Sequence, residues 1–175
     1  MEGLFSSKLG YGMTVWGRVR NKPGSTEEEI RSPSLTKDDV RKLQVLQNKC
    51  LRILTNSDYR TPTSTLLQKT KKMSVHQQIA YQTLSQVHRV FETKLPVYHY
   101  RRLFERVNYD ADTRSNNCYG INRVEFKLSL CRTNFFYQAS RLWASLPTFI
   151  KSARSRSMFK MNCKSWVKDM ISVKP

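Results

Sequence analysis

The chain has 175 residues, and 31 Lys and Arg face 13 Asp and Glu, a net charge of +18. Hydrophobic residues make up 39%, with eight Phe, eight Tyr and three Trp, which excludes wholesale disorder and suits one domain or two small ones. Residues 111–175 hold 12 Lys and Arg against 3 acids, half of the whole excess, and such a field attracts polyanions and releases their counterions.

Residues 4–19 carry Leu4, Phe5, Leu9, Tyr11, Met13, Val15 and Trp16, with Gly at 3, 10, 12 and 17. The stretch is apolar but broken by glycine, as in a short helix whose upstream half is missing. Residues 20–35 read as loop, from the Lys22-Pro23-Gly24-Ser25 turn to Pro33. A helix follows, with Thr36 as its cap and Asp38 and Asp39 in its first turn. Val40, Leu43, Leu46, Cys50 and Leu54 recur on it at helical spacing. Thr61-Pro62 predicts a second helix, capped by Thr61 and ending near Thr70.

Ser74 with Gln77 has the form of a capping box, and Val75, Ile79, Leu84, Val87 and Phe91 give a third helix its apolar face to about residue 93. Pro96 opens a fourth, with Val97, Tyr100, Phe104 and Val107. Residues 108–122 are polar loop. Val124, Phe126, Leu128 and Leu130 then alternate with Glu125, Lys127, Ser129 and Cys131, the pattern of a half-buried strand whose partner is sought in residues 113–121. A helix with Phe135, Phe136, Ala139, Leu142 and Trp143 closes at Leu146-Pro147. The last, about 156–171, carries Phe159, Cys163, Trp166 and Met170 on one face, beside Lys160, Lys164 and Lys168. The expected class is mostly α: an irregular helical bundle with one short β-hairpin near residues 113–131. Its expected regions are a helical 1–107 and a basic tail 108–175 with the hairpin and two C-terminal helices.

Reactive constellations are scarce. Cys50, Cys118, Cys131 and Cys163 form no CxxC pair and no zinc spacing, and Cys50 and Cys163 read as small core residues. His76, His88 and His99 have no nucleophile beside them and read as helix-surface histidines. Tyr109-Asp110-Ala111-Asp112 superficially has the acids of a two-metal site, but the pair is split and lies in a loop, where solvated carboxylates are expected. No cofactor, metal or small-molecule motif is present. No segment reads as a secretory leader and no apolar run spans a bilayer, so an intracellular site, nucleus or cytoplasm, and no membrane partner are expected.

The basic residues are the candidate site. Arg101 and Arg102 follow Tyr98 and Tyr100; Arg141 lies on the Trp143 helix; Arg154, Arg156, Lys160, Lys164 and Lys168 gather near Trp166. Cations mixed with aromatics suit backbone-tracking of single strands or an A-form hybrid. The plainer alternative is a lysine row that is only the solvated flank of an apolar face.

Five segments in order carry a resemblance. They are Tyr11-Gly12-Met13-Thr14-Val15-Trp16-Gly17; Leu43 to Arg52, with its LQ-x-x-x-x-R pattern; and Leu95-Pro96 with Phe104 and Thr113-Arg114. Ser140-Arg141-Leu142-Trp143-Ala144-Ser145-Leu146-Pro147 and Met158-Phe159-Lys160 complete the set. Together they resemble the region C-terminal to the catalytic palm in non-LTR (LINE-type, jockey-like) retrotransposon reverse transcriptases. Ala144 stands where that family usually has Asn. The resemblance implies a helical thumb and tail that hold RNA, DNA or an RNA–DNA hybrid behind an active site. The palm, with its metal-binding Asp residues, would be an upstream partner in the parent polymerase. It further implies a fragment of a transposable element that is no enzyme on its own. The competing expectation is an inert or domesticated remnant acting only as a protein-interaction module.

Overall fold

The structure, a computed structural model, describes residues 37–105, 120–122 and 135–170. These residues are mostly helical. In chain order the helices are α1 (Lys37–Thr55), α2 (Thr63–Thr70), α3 (Val75–Thr93), α4 (Val97–Phe104), α5 (Phe135–Ser145), α6 (Thr148–Lys151) and α7 (Arg156–Met170). Thr36, Val107, the strand at 123–131 and nearly all of its partner segment lie outside the described residues, as do residues 4–35. The chain divides into two units, Met1–Gln82 with Val167–Pro175 and Thr83–Trp166. Helices α3 and α7 each contribute turns to both units, and residue 107 lies outside the described residues.

The first unit is built on α1 and α2, where Leu51, Leu66 and Leu67 form a buried cluster. The expected face of α1 is only partly the buried one. Val40 and Leu51 are buried, and so are the amides Gln47 and Asn48, while Val45, Leu46, Ile53 and Leu54 are exposed. The reason is hydrogen bonding. Gln47 Nε2 donates to Met73 O at 2.9 Å, Asn48 Nδ2 to Thr63 Oγ1 at 2.8 Å, and Gln44 Oε1 accepts from Val75 N at 2.9 Å. Gln44 Nε2 also donates to Gln47 Oε1 and Asn48 Oδ1, so the three amides act together. They satisfy polar groups at the start of α2 and around the α2–α3 turn, and each such bond contributes about 1 kcal/mol net.

The capping box at the start of α3 is as expected: Gln77 N donates to Ser74 Oγ at 3.3 Å, and Ser74 N to Gln77 Oε1 at 2.9 Å. The α2 start differs by a residue. Pro62 is the N-cap, with its carbonyl accepting from Leu66 N, and Thr61 instead donates its N–H to Asp58 O. Pro96 and Pro147 sit at the same N-cap position of α4 and α6, and α6 was not expected. Three helices end on a left-handed residue other than glycine: Asn56, Lys71 and Lys94. After α1, Ser57 N reaches Arg52 O and Asn56 N reaches Ile53 O; after α2, Lys72 N reaches Leu67 O and Lys71 N reaches Gln68 O. Both are Schellman ends that satisfy carbonyls the helix leaves open.

The second unit has an aromatic core. Trp143 and Phe159 are fully buried, and Leu84, Val87, Val90, Leu103, Ile150 and Cys163 are buried with them. Phe104 meets Trp143 edge-on at 6.1 Å and Phe91 at 5.2 Å, each measured between ring centroids. Of the residues expected inside, Phe136 and Leu146 are buried here too, and Ile79 is buried in the first unit. Leu43, Cys50, Phe91, Phe104, Leu142 and Trp166 are half-buried, Leu46 is exposed, and Phe126 and Leu128 lie outside the described residues. His88 is corrected from a surface residue to a core one. It is 2% exposed and stacks on Phe159 with centroids 3.8 Å apart. Asn122 closes α4: its N–H donates to Leu103 O at 2.7 Å and its side chain to Glu105 O at 2.8 Å.

Candidate nucleic-acid interface

Most of the candidate cations belong to the second unit. On α4, Arg102 is exposed yet fixed. Its Nη1 donates to Tyr98 Oη at 3.1 Å, one turn earlier, and its guanidinium carbon lies 5.1 Å from the centre of the Phe136 ring. Tyr98 meets the same Phe136 edge-on at 5.8 Å. The neighbouring Arg101 pairs with Glu105 at 3.3 Å, both ends exposed, a contact worth well under about 1 kcal/mol and easily exchanged for another anion.

Helix α5 packs against α4 and repeats the device. Arg141 Nη1 donates to Tyr137 Oη at 3.3 Å, and its guanidinium lies 5.7 Å from that ring's centre. Both arginines are thus held beside an aromatic ring. That geometry limits the rotamers of a planar guanidinium, a group whose fork matches carboxylate and phosphate oxygens in general.

Around the start of α7, Arg154 and Arg156 are exposed. Ser155 Oγ accepts from Met158 N at 3.2 Å, and the first turn of α7 has no acid, so two arginines flank the positive end of a helix with no acid in that turn to balance them. Lys160 and Lys164 continue along α7, both exposed. Lys168 differs from them. It belongs to the first unit, is half-buried, and its Nζ donates to Lys71 O at 3.0 Å, at the end of α2.

Two lysines beside aromatic rings escaped the sequence reading. Lys151 lies 5.9 Å from the Trp143 ring centre, and burial holds its ammonium below the usual lysine value. Lys94 lies 5.8 Å from that of Tyr100. Only the spacing of Lys94 and Tyr100, six residues apart across Pro96, was visible in the sequence, and it is not a helical one.

The chemistry of the remaining groups is quiet. Burial pushes the Cys163 thiol up to about 12, so it is not a nucleophile at neutral pH. Among the described residues no group of three or more His, Cys, Asp or Glu is placed to hold a metal ion. Tyr109-Asp110-Ala111-Asp112 lies outside them. No helix among them is long and apolar enough to cross a membrane. No protein-family model, curated protein or solved structure matches the chain.

Proposed function

We propose that this chain is a non-catalytic nucleic-acid-binding fragment, the thumb and tail of a non-LTR retrotransposon reverse transcriptase, that grips an RNA–DNA template–primer through basic helices. The observation that carries it is the repeated Arg–Tyr pair of the second unit, Arg102 with Tyr98 and Arg141 with Tyr137; Lys160 and Lys164 of the same unit are exposed as well. A surface evolved only for solubility has no need to fix arginines on aromatic rings. Phosphate contacts do, because a preset fork loses less entropy per bond formed. The sequence resemblance supplies the polymer and the parent enzyme. In this proposal the hairpin near residues 113–131 belongs to the tail, the protein works inside the cell, and catalysis resides in the palm upstream.

The test is equilibrium binding of a labelled RNA–DNA hybrid at several salt concentrations. A steep linear fall of log affinity with log salt is expected, together with no magnesium-dependent primer extension by this chain alone. Affinity that ignores salt would overturn the proposal. A protein-interaction remnant is the second possibility, favoured by the exposed Val45, Leu46, Ile53 and Leu54 on α1.

A further inference from the structure

The turn between α1 and α2 presents one aromatic ring to solvent. Tyr59 is 80% exposed, although its neighbours in the turn are polar residues that need no such ring. Such exposure means the ring contributes little to folding. Its backbone is nevertheless held firmly. Asn56 closes α1 in the left-handed region, the hydroxyls of Thr55 and Ser57 share a hydrogen bond at 2.8 Å, and Thr61 N donates to Asp58 O at 3.0 Å. Asp58 Oδ1 accepts from Tyr59 N at 2.6 Å, so this acid is turned onto the backbone.

Arg52 ties the turn to its helix. Its Nη2 donates to Thr61 O at 3.2 Å, and its guanidinium carbon lies over the Tyr59 ring, 5.4 Å from the centre. One face of the ring therefore rests on a cation. The exposure of the ring leaves the opposite face to solvent. Arg60, the next residue, and Lys49, three residues before Arg52 and so on the same side of α1, are both exposed and add positive charge. A flat ring, backed by a guanidinium and flanked by cations, fits a planar π-system attached to phosphates. The interior of a duplex offers no such group, since its bases are stacked on each other on both faces, and only the end pairs show one.

We infer that Tyr59, backed by Arg52, is a stacking site for an unpaired nucleobase of single-stranded RNA or DNA, with Arg60 and Lys49 taking the adjacent phosphates. The inference rests on the proposed nucleic-acid binding for its class of ligand, but it uses none of the cations of the second unit. Stacking on an exposed aromatic tolerates any base, so the site follows the strand rather than reading its sequence.

The experiment uses the full chain with three probes: a single-stranded DNA and a single-stranded RNA, each carrying one 2-aminopurine, and a blunt RNA–DNA hybrid. Tyr59→Ala is expected to lose about 5- to 100-fold in single-strand affinity, and with it the 2-aminopurine quenching, while hybrid affinity stays within about twofold. Tyr59→Phe, which keeps the ring, should bind like the parent. The DNA and RNA arms show which strand the site prefers. Circular dichroism melting of each variant should match the parent, as expected for so exposed a side chain. If the hybrid binds in a salt-dependent way and Tyr59→Ala still holds single strands normally, the stacking site is overturned alone. If the parent chain binds no probe, nucleic-acid binding falls with it. Equally weak binding by Tyr59→Phe and Tyr59→Ala would also overturn it, since a hydroxyl and not a ring would then be the contact.

Discussion

At the scale of single residues, the most consequential departure is His88. A histidine read along its own helix has only its sequence neighbours to judge by, and nothing local shows that Phe159 will lie against its ring. Burial lowers its pKa below the usual 6.5; Glu92, with Oε2 3.5 Å from Nδ1, opposes this in part, and Arg156 adds to it. The neutral ring is therefore the folded form. The unfolded chain takes up a proton near pH 6.5 and the folded one only lower, so the contribution of His88 is full above about 6.5 and is lost as pH falls toward the folded value. Melting temperature should drop between about pH 7.5 and 5.5, and His88→Phe, which keeps a ring against Phe159, should show a smaller drop. An equal drop in both proteins would remove His88 from the account. Lys71 offers a second test. Its φ of 53° costs an L-residue about 1–2 kcal/mol, which Asn56 bears more easily at the corresponding place after α1. Lys71→Gly should raise unfolding free energy by roughly 0.5–1 kcal/mol in urea titration, part of the relief being offset by the freer unfolded chain. The bond from Lys168 survives, because it goes to the backbone carbonyl.

At the scale of elements, what was legible was what is local. Ser74 and Gln77 are three residues apart and bond each other, so the start of α3 is written in its own sequence. The prolines at 62 and 96 mark helix entries for the same reason, their fixed φ suiting an N-cap, whereas Pro147 reads only as the close of α5 and also opens α6. Arg102 with Tyr98 and Arg141 with Tyr137 are i, i+4 pairs, and the site was readable to that extent. The rotation of α1 was not. Apolar side chains on α1 fall on more than one arc, and periodicity cannot say which arc is covered when Gln44, Gln47 and Asn48 supply the binding to α2 and the α2–α3 turn. One consequence can be measured. Ile53 is 70% exposed and Leu46 49% exposed. The double variant Leu46→Gln, Ile53→Gln should change unfolding free energy by less than about 0.5 kcal/mol per site and should lower light scattering at high concentration. A large loss of stability would mean that this face is covered in solution.

At the scale of the whole molecule, charge is the property the sequence states most clearly, and its placement is what it states least. A net charge of +18 attracts polyanions in general without choosing a surface. Equal spacing made Lys160, Lys164 and Lys168 look like one row of equivalent contacts. The tertiary fold separates them, because Lys168 donates to Lys71 O and Lys160 and Lys164 stay exposed. Four residues of helix span about 6 Å, so the latter two can meet neighbouring phosphates of one strand as point charges, without reading bases. Each phosphate neutralised adds about 0.9 to the log–log salt slope on a duplex. The pair Lys160→Gln, Lys164→Gln should therefore reduce that slope by about two, uniformly across sequences, with the melting temperature unchanged. Lys168→Gln should do the reverse: leave the slope as it is and lower stability by about 1 kcal/mol, through the lost bond to the end of α2. A double variant with an unchanged slope would reduce α7 to a solvated flank and move the search to Arg102 and Arg141. A slope that falls by about a further unit with Lys168→Gln would mean that nucleic acid draws this ammonium away from Lys71 on binding.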